Sequence, residues 1–468
     1  MLSHSNDGDG DSVGNLIVVP SSTYPVGSNR TVSGGTIPQN PQTYRYFTEG
    51  YGIMNEHQVA LGESTCLGVF DSLPGSTGIL NIVDLTQIAL ERSTSALQAI
   101  ITIGALAEEF GYSDNAESLF ITDQNDAYIF HILKSSSSSP SAIWAAQLLP
   151  PTDVSTVMNA FIISDLDLTA DLYSANLVAE AHKLQPSDTT INFKRTFSGL
   201  NEAKCKYSTG RRMWSVLNRL SPGNYSPTYD SYLDNNYPTS FIPNSKVNTS
   251  TFSNVMRDYY QNTDYDMSTV PKLSGGPFFS PSRWATDQTV NNQTVCWERP
   301  IATFRSIVTL ITQSRSFSEN GILWFAPHSA LTSEYSPFPT SVINIVPPGY
   351  SDNSLNRLDR NESAYWAFKF LYNIVEIKSD KMLPDVQKLQ DERYSISQQL
   401  IQSLDDGSMP VADAETIFND NAKKIVSEFW ELSDYLIMKW ADGYCNFDCG
   451  DEPKHVGYDD CWLEAIMN

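Results

Sequence analysis

Positive charge is scarce in this sequence. Thirty Lys and Arg stand against 54 Asp and Glu over 468 residues, a formal net charge of −24. Phosphate backbones and anionic lipid reward basic surfaces, so nucleic acid is excluded as a partner and an acidic or extracellular-type compartment is tolerated. No run of 18 or more apolar residues occurs, so neither a transmembrane helix nor membrane insertion is expected. Met1-Leu2-Ser3-His4 has neither the basic start nor the apolar stretch of a signal peptide. The motifs GxSxG, HExxH, GxxxxGK[ST] and GxGxxG are all missing, which removes the corresponding hydrolase, zinc, P-loop and dinucleotide readings, and no cofactor is expected. Histidines number only six, and His131, His182 and His328 show no ligand spacing. The acidic stretch from His4 to Asp11 does not make a calcium loop. Counted from Asp7, the sixth and twelfth positions are Ser12 and Val18 where Gly and Glu are needed. No metal site is expected.

Cysteine is also sparse, at six. Cys66, Cys205 and Cys296 are scattered, and Cys445, Cys449 and Cys461 cluster in the tail. A zinc site wants paired CxxC ligands; His455 offers a fourth donor, but the spacing fits no common template. Disulfide partnership is the better reading, with one bridge in the tail. Five Asn-X-Ser/Thr sequons, at Asn29, Asn224, Asn248, Asn292 and Asn361, are candidate glycosylation sites. With the cysteines they point to the secretory pathway, lysosomal, vacuolar or extracellular.

What is present is a succession of short alternating segments and amphipathic helices. Tyr51–Cys66 reads as strand, turn, strand around Asn55-Glu56-His57. Asp84 is placed as a helix N-cap, and a second helix starts at Ser93 or Thr94 and stops at Gly111. Ser118–Asp123 and Ala127–Leu133 form a hairpin, followed by strands at Ala142–Gln147 and Ser155–Ile162. Residues 221–275 read as long loops. Ile301–Gln313 and Gly321–Phe325 are strand-like, Ala364–Ile377 is an apolar helix, and 384–440 is helical with a break near Gly407–Pro410. These patterns predict an α+β layered fold. The expected division is a main domain over 1–377 and a helical C-terminal extension with a Cys-rich tail over 378–468, packed on the same domain.

Ten strings in order, among them HSNDG, YGIMNEHQVALGEST, ESLFITDQNDAYIFHI, WAAQLLPPTDVSTVMNAF, YSTGRRMW, GGPFFSPSRW and ERPIATFR, resemble the dipeptidases of peptidase family C69. The resemblance implies an N-terminal-nucleophile (Ntn) hydrolase fold, two antiparallel sheets between helical layers in a four-layer αββα sandwich. It implies hydrolysis of an amide bond, typically in a short peptide. The nucleophile would be an N-terminal Cys whose own α-amine, titrating near 7.7–8.0, serves as base. That Cys belongs upstream of HSNDG, beyond two strands, and the chain as given holds none there. A missing N-terminal segment is the favoured explanation. A scaffold kept without catalysis, acting as a structural or interaction protein, is the alternative, and hydrolysis of a non-peptide amide is a third reading. Cys66, at the end of a strand, is not an N-terminal nucleophile.

Residue by residue, the resemblance implies that Asp7 holds the nucleophile's α-amine and that His4 stands where relatives often carry Arg. It implies that Asn159 donates to the oxyanion and that Thr65 lies on the oxyanion side. It also places Arg283 beside the nucleophile. Asn55 at the hairpin tip is a candidate substrate contact as well as a turn former. Arg299 and Arg305, six apart on one expected strand and so on one face, are candidates for the substrate carboxylate, which suits a bidentate Arg. The expected partner is a short peptide, and homo-oligomerisation is left open.

Overall fold

Twenty strands and eleven α-helices occur among the described residues, which in this computed structural model are 1–8, 12–73, 78–136, 141–199, 208–226, 237–269, 272–284, 288–295, 298–352, 363–450 and 454–467. Eight strands form the larger sheet: β2 (Ile17–Val19), β7 (Tyr46–Thr48), β8 (Gly52–Asn55), β9 (Ala60–Thr65), β10 (Glu117–Thr122), β11 (Ala127–Lys134), β12 (Ala142–Leu148) and β13 (Leu172–Tyr173). Their order is β13-β12-β11-β10-β9-β8-β7-β2, and every pairing is antiparallel. The second sheet runs β1-β16-β17-β18, from β1 (Leu2–Asp7), β16 (Ser306–Gln313), β17 (Ile322–Pro327) and β18 (Ser336–Pro339). Four two-stranded ribbons complete the set: β3 (Ser22–Thr23) with β6 (Gln42–Thr43), β4 (Asn29–Val32) with β5 (Gly35–Pro38), β14 (Gln288–Val290) with β15 (Gln293–Val295), and β19 (Tyr444–Cys445) with β20 (Lys454–His455).

Period-two alternation decides what each face of the large sheet meets. Leu119 pairs with Phe130 and Ile121 with Tyr128, and these side chains join the core under α1 (Ile82–Arg92) and α2 (Ala96–Phe110). Ile129, Leu133 and Ala145 point the other way, into the core that also takes Leu310, Leu323 and Phe325 of the second sheet. Trp144 stacks on Phe130 with ring centroids 5.5 Å apart and sits against α2 at Gly104, where a Cβ would lie 2.5 Å from the indole. On its outer side the second sheet is covered by α8 (Ala364–Val375), α9 (Ser379–Asp405) and α10 (Val411–Lys439), which contribute Phe368, Val386 and Phe429 to the same core. Each fully buried Leu, Ile or Phe here is worth about 1.5–3 kcal/mol. The layers are therefore helix, sheet, sheet, helix.

Three short helices, α3 (Leu177–Leu184), α4 (Phe193–Phe197) and α6 (Thr249–Met256), and the longer α5 (Thr209–Leu220) lie between the sheet-forming segments; α7 (Pro348–Ser351) precedes α8, and α11 (Asp460–Met467) ends the chain. A disulfide joins Cys445 and Cys449; Cys66 and Cys461 are free, and Cys205 and Cys296 lie outside the described residues.

Several sequence-based expectations change. Asp84 is not the N-cap of α1: Asn81 is, and Asp84 at the third helical position closes a capping box with it. The second helix starts after Ser95, whose side chain accepts from the Gln98 amide. The strand expected at Ser155–Ile162 does not form. Asn159 there has φ of 59°, a left-handed conformation that a strand excludes. The strand expected from Ile301 begins only at Ser306, because Pro300 offers no N–H to a ladder and the chain turns before entering the sheet. Arg299 and Arg305 therefore share no strand. Leu2–Asp7, which overlaps the acidic stretch from His4 to Asp11, is a full strand paired with β16 from Leu2↔Thr312 to Asp7↔Ser306.

Candidate active site

The strand β1 crosses over β9, and Gly62 makes the approach possible. A Cβ on Gly62 would stand 2.7 Å from the Leu2 methyl and 3.3 Å from the His4 Cβ. Beside this crossing opens a cavity of about 690 Å³, lined by β1, by the ends of β9 and β10, by the 153–159 loop, and by α5 and α6. Asp7, His4, Thr65, Asn159 and Arg299 all line it. Arg283, Arg305 and Asn55 do not.

Asp7 sits where the register of β1 against β16 slips, between Asn6 and Asp7. Such a bulge re-aims the side chain that follows it. One carboxylate oxygen, Oδ2, pairs with the Arg299 guanidinium; the other, Oδ1, is buried with no hydrogen-bond partner. Burial and the neighbouring Arg305 charge bring the Arg299 guanidinium down to about 10. Tyr260, fully buried, donates its hydroxyl to the Arg299 carbonyl at 2.6 Å and fixes that segment.

Asn159 is held at three points. Its backbone N–H donates to Ser64 Oγ at 3.0 Å, its Nδ2 donates to the Thr65 carbonyl at 2.8 Å, and its Oδ1 accepts from Arg212 at 2.8 Å. Thr65 thus serves the site through its main chain. Nδ2 carries two hydrogens, and Thr65 takes one. Arg212 is further tied to the Ser208 carbonyl at 2.6 Å, and its neighbour Arg211 turns away to Glu298 at 3.1 Å and stacks over Tyr265 at 3.4 Å. Sequence reasoning missed Arg212. Its signal was present: two arginines open α5, where the helix dipole disfavours cations, so both require specific partners. Both are buried.

His4 reaches Glu63 Oε1 at 3.4 Å. Burial alone would lower the imidazole, but contact with Glu63 and the charges of Glu63 and Glu49 outweigh it, and the net shift is upward. Asn6 donates to Glu49 at 3.1 Å, and burial lifts the Glu49 carboxyl to about 7. Glu117, next to Glu63 and Thr65, is driven far above the usual carboxylate range by burial and by the Glu63 carboxylate.

The remaining expected site residues stand elsewhere. Asn55 is wholly buried. Its amide donates to the Leu90 and Ser93 carbonyls, and its Oδ1 accepts from His57 and Val59, so it ties the hairpin tip to the end of α1 instead of meeting substrate. Arg283 spends its guanidinium on the carbonyls of Ser280, Ser282 and Met267 and on Ser274 Oγ, a fork that caps a loop and does not face the cavity. Arg305 is exposed, and its carbonyl receives the Gly8 amide at 2.9 Å. Of the sequons, Asn29, Asn224, Asn248 and Asn292 are exposed, and Asn361 lies outside the described residues. Among the described residues no group of three or more His, Cys, Asp or Glu has the arrangement to hold a metal ion, and no helix is long and apolar enough to cross a membrane.

A second grouping near the cavity looks catalytic and is not. Cys66 Sγ lies 3.1 Å from Ser118 Oγ, which lies 2.7 Å from His131 Nδ1. His131 Nε2, however, accepts the backbone N–H groups of Ile162 and Ile163 at 2.9 and 3.1 Å. Its proton therefore resides on Nδ1, donated to Ser118, and no lone pair remains to draw a proton from the thiol. Burial pushes His131 down to about 3 and the Cys66 thiol well up. The nucleophilic form is the thiolate, so Cys66 is inert.

The family model for Peptidase family C69 matches residues 17–392, from β2 to the middle of α9. A search of curated proteins finds no match. The match covers most of the sequence and both sheets except β1, and on it the chain belongs to peptidase family C69.

Proposed function

We propose that the protein is a dipeptidase of the cysteine type, hydrolysing the amide bond of short peptides in the cavity beside β1. The observation that carries this reading is the convergence of Asp7 and Asn159 on one cavity: a carboxylate with one buried oxygen lacking a donor, and an amide with one hydrogen uncommitted. A buried oxygen without a donor is costly, about 1–3 kcal/mol, and is retained where a ligand or reacting group supplies the hydrogen bond.

In this reading the nucleophile is the thiol of an N-terminal cysteine, to be sought ahead of Met1. The cysteine's neutral α-amine takes the thiol proton, and Asp7 Oδ1 receives the ammonium so formed. The thiolate attacks the peptide carbonyl, and Asn159 Nδ2 donates to the oxyanion. The leaving amine takes its proton from that ammonium, and water, giving a proton to the freed α-amine, hydrolyses the thioester and releases the thiol. Arg212 keeps Asn159 turned for this task. The exposed positions of Asn29, Asn224, Asn248 and Asn292 support glycosylation on a secretory route.

The test is N-terminal sequencing of the protein isolated from its source, with assay against a dipeptide panel before and after thiol alkylation. The expected result is an N-terminal Cys and hydrolysis that alkylation abolishes. A mature chain that begins at Met1 and cleaves no dipeptide overturns the reading.

A further inference from the structure

Asn159 and Asp7 must act together, yet they sit on separate segments, and one carboxylate that lines no part of the cavity joins the elements that hold them. Asp258 is buried. Its Oδ2 accepts from the Ser215 hydroxyl, and its Oδ1 accepts from the Arg219 guanidinium and, at 2.8 Å, from the Tyr260 backbone N–H. Its main-chain carbonyl accepts the Ala302 N–H at 2.9 Å. Helix α5, the turn at 258–260 and the segment leading into β16 all bond to this one residue.

Helical spacing supplies the first arm. Arg212, Ser215 and Arg219 stand at i, i+3 and i+7 on α5, so the face that holds Asn159 through Arg212 is the face that Asp258 grips. The second arm runs through a turn. Tyr260 has φ of 68°, a left-handed conformation that a bulky L residue rarely adopts. An Asp side chain that accepts the N–H two residues on is the local bond that holds such a turn. Held in this way, Tyr260 reaches the Arg299 carbonyl with its hydroxyl, and the Arg299 guanidinium meets Asp7. The Ala302 bond fixes the same segment from its other end. Contacts therefore run unbroken from Asn159 through α5, Asp258, Tyr260 and Arg299 to Asp7.

We propose that Asp258 is a positioning residue, which sets the distance between the oxyanion donor Asn159 and the amine-holding carboxylate Asp7 without touching substrate. The assignment rests on the peptide-hydrolase reading above. In that reading the oxyanion and the ammonium both appear only after the peptide has bound, as the thiol attacks. Misplacing the groups that meet them therefore lowers kcat and leaves KM largely alone.

Kinetics and hydrogen exchange on the mature protein test this together. Asp258→Ala is expected to lower kcat for alanyl-alanine about 10²-fold, the scale of a misplacement of about 1 Å, and to leave KM within about two-fold. Asp258→Asn keeps an oxygen for Tyr260 and Arg219, and its amide donates to Ser215, whose hydroxyl accepts as well as donates; kcat is expected to return to within about five-fold of native. Tyr260→Phe removes only the hydroxyl of the second arm and is expected to lose about 10-fold in kcat, which carries the test if Asp258→Ala does not fold. The amides of Asn159 and Gly8, bonded to Ser64 Oγ and to the Arg305 carbonyl, are expected to exchange faster together in Asp258→Ala, with β11 and β12 unchanged. A native kcat in Asp258→Ala, a loss confined to KM, an Asn variant no better than the Ala variant, or exchange that rises only in α5 and 258–302 overturns the proposal. A native protein that hydrolyses no dipeptide overturns the catalytic reading instead, and the exchange result alone then decides whether Asp258 ties the two sides of the cavity together.

Discussion

The Arg212 guanidinium donates to Asn159 Oδ1 at 2.8 Å, and this bond decides which way the Asn159 amide faces. Arginine has no acceptor, so the atom it meets must be the oxygen; the nitrogen is then forced toward Thr65 and the cavity. The left-handed backbone at Asn159 brings the amide out of any ladder and into reach of α5. One residue from the helix and one from a loop thereby act as a unit.

Asn159→Ala should lower kcat/KM for a dipeptide about 10²–10³-fold, the usual cost of removing one oxyanion donor. Arg212→Lys keeps the charge but not the fork, and should lose about 10-fold or more, mostly in kcat. Residues acting as a unit are non-additive, so the double variant should be no slower than Asn159→Ala by more than a few-fold. Steady-state kinetics on the four proteins checks this; additive losses would separate the two residues.

Gly62→Ala tests the crossing of β1 over β9. The new methyl meets Leu2 and His4, and overpacking of this kind costs about 1–3 kcal/mol. Urea unfolding should show the lower stability. Because the displaced strand carries Asp7, activity should fall as well; a fully active Gly62→Ala protein would mean that β1 tolerates the shift without moving its carboxylate.

The layered fold was legible because its signals are local. Hairpin alternation at Ser118–Leu133, the Gly111 stop of α2 and the break between α9 and α10 all register in a few neighbouring residues. Five residues singled out from the sequence, His4, Asp7, Thr65, Asn159 and Arg299, line one cavity, the first four through the resemblance. Arg212 was missed and Arg283 misplaced because a guanidinium's partners are set by tertiary contacts: Arg212 meets a residue 53 positions away, and Arg283 meets carbonyls of its own loop. Asn55 misled for the opposite reason. Its polar tip position suggested solvent and substrate, but its four hydrogen bonds are all to backbone.

Cys66→Ala should leave dipeptide hydrolysis within about two-fold of the native rate, because the thiol is buried and its Ser118–His131 chain runs the wrong way for activation. Peptide mapping after iodoacetamide treatment of the folded protein should find Cys66 unmodified and the exposed Cys461 alkylated. Loss of activity together with modification at Cys66 would restore it as a nucleophile.

The pH dependence of stability should carry the mark of Glu49. Burial lifts this carboxyl from 4.5 to about 7, against the pull of His4 and of the Asn6 amide. The folded chain keeps the proton through a range in which the unfolded chain has lost it. Its stabilising contribution is therefore full below about pH 4.5 and declines as pH rises towards 7. His131 and His328, pushed down to about 3 by burial, act in the other direction, their contribution being lost as pH falls below about 6.5. The overall curve mixes both, so the comparison with Glu49→Gln isolates one group. The amide stands in for the protonated acid, and the variant should match the native chain near pH 4 and exceed it by about 1–2 kcal/mol above pH 7, a figure reduced from the full shift because Glu49 keeps part of its surface in solvent. Urea unfolding at about pH 4, 5.5 and 7.5 reads the difference directly. A difference that stays flat across that range would mean that Glu49 ionises in the folded protein as it does in the unfolded chain.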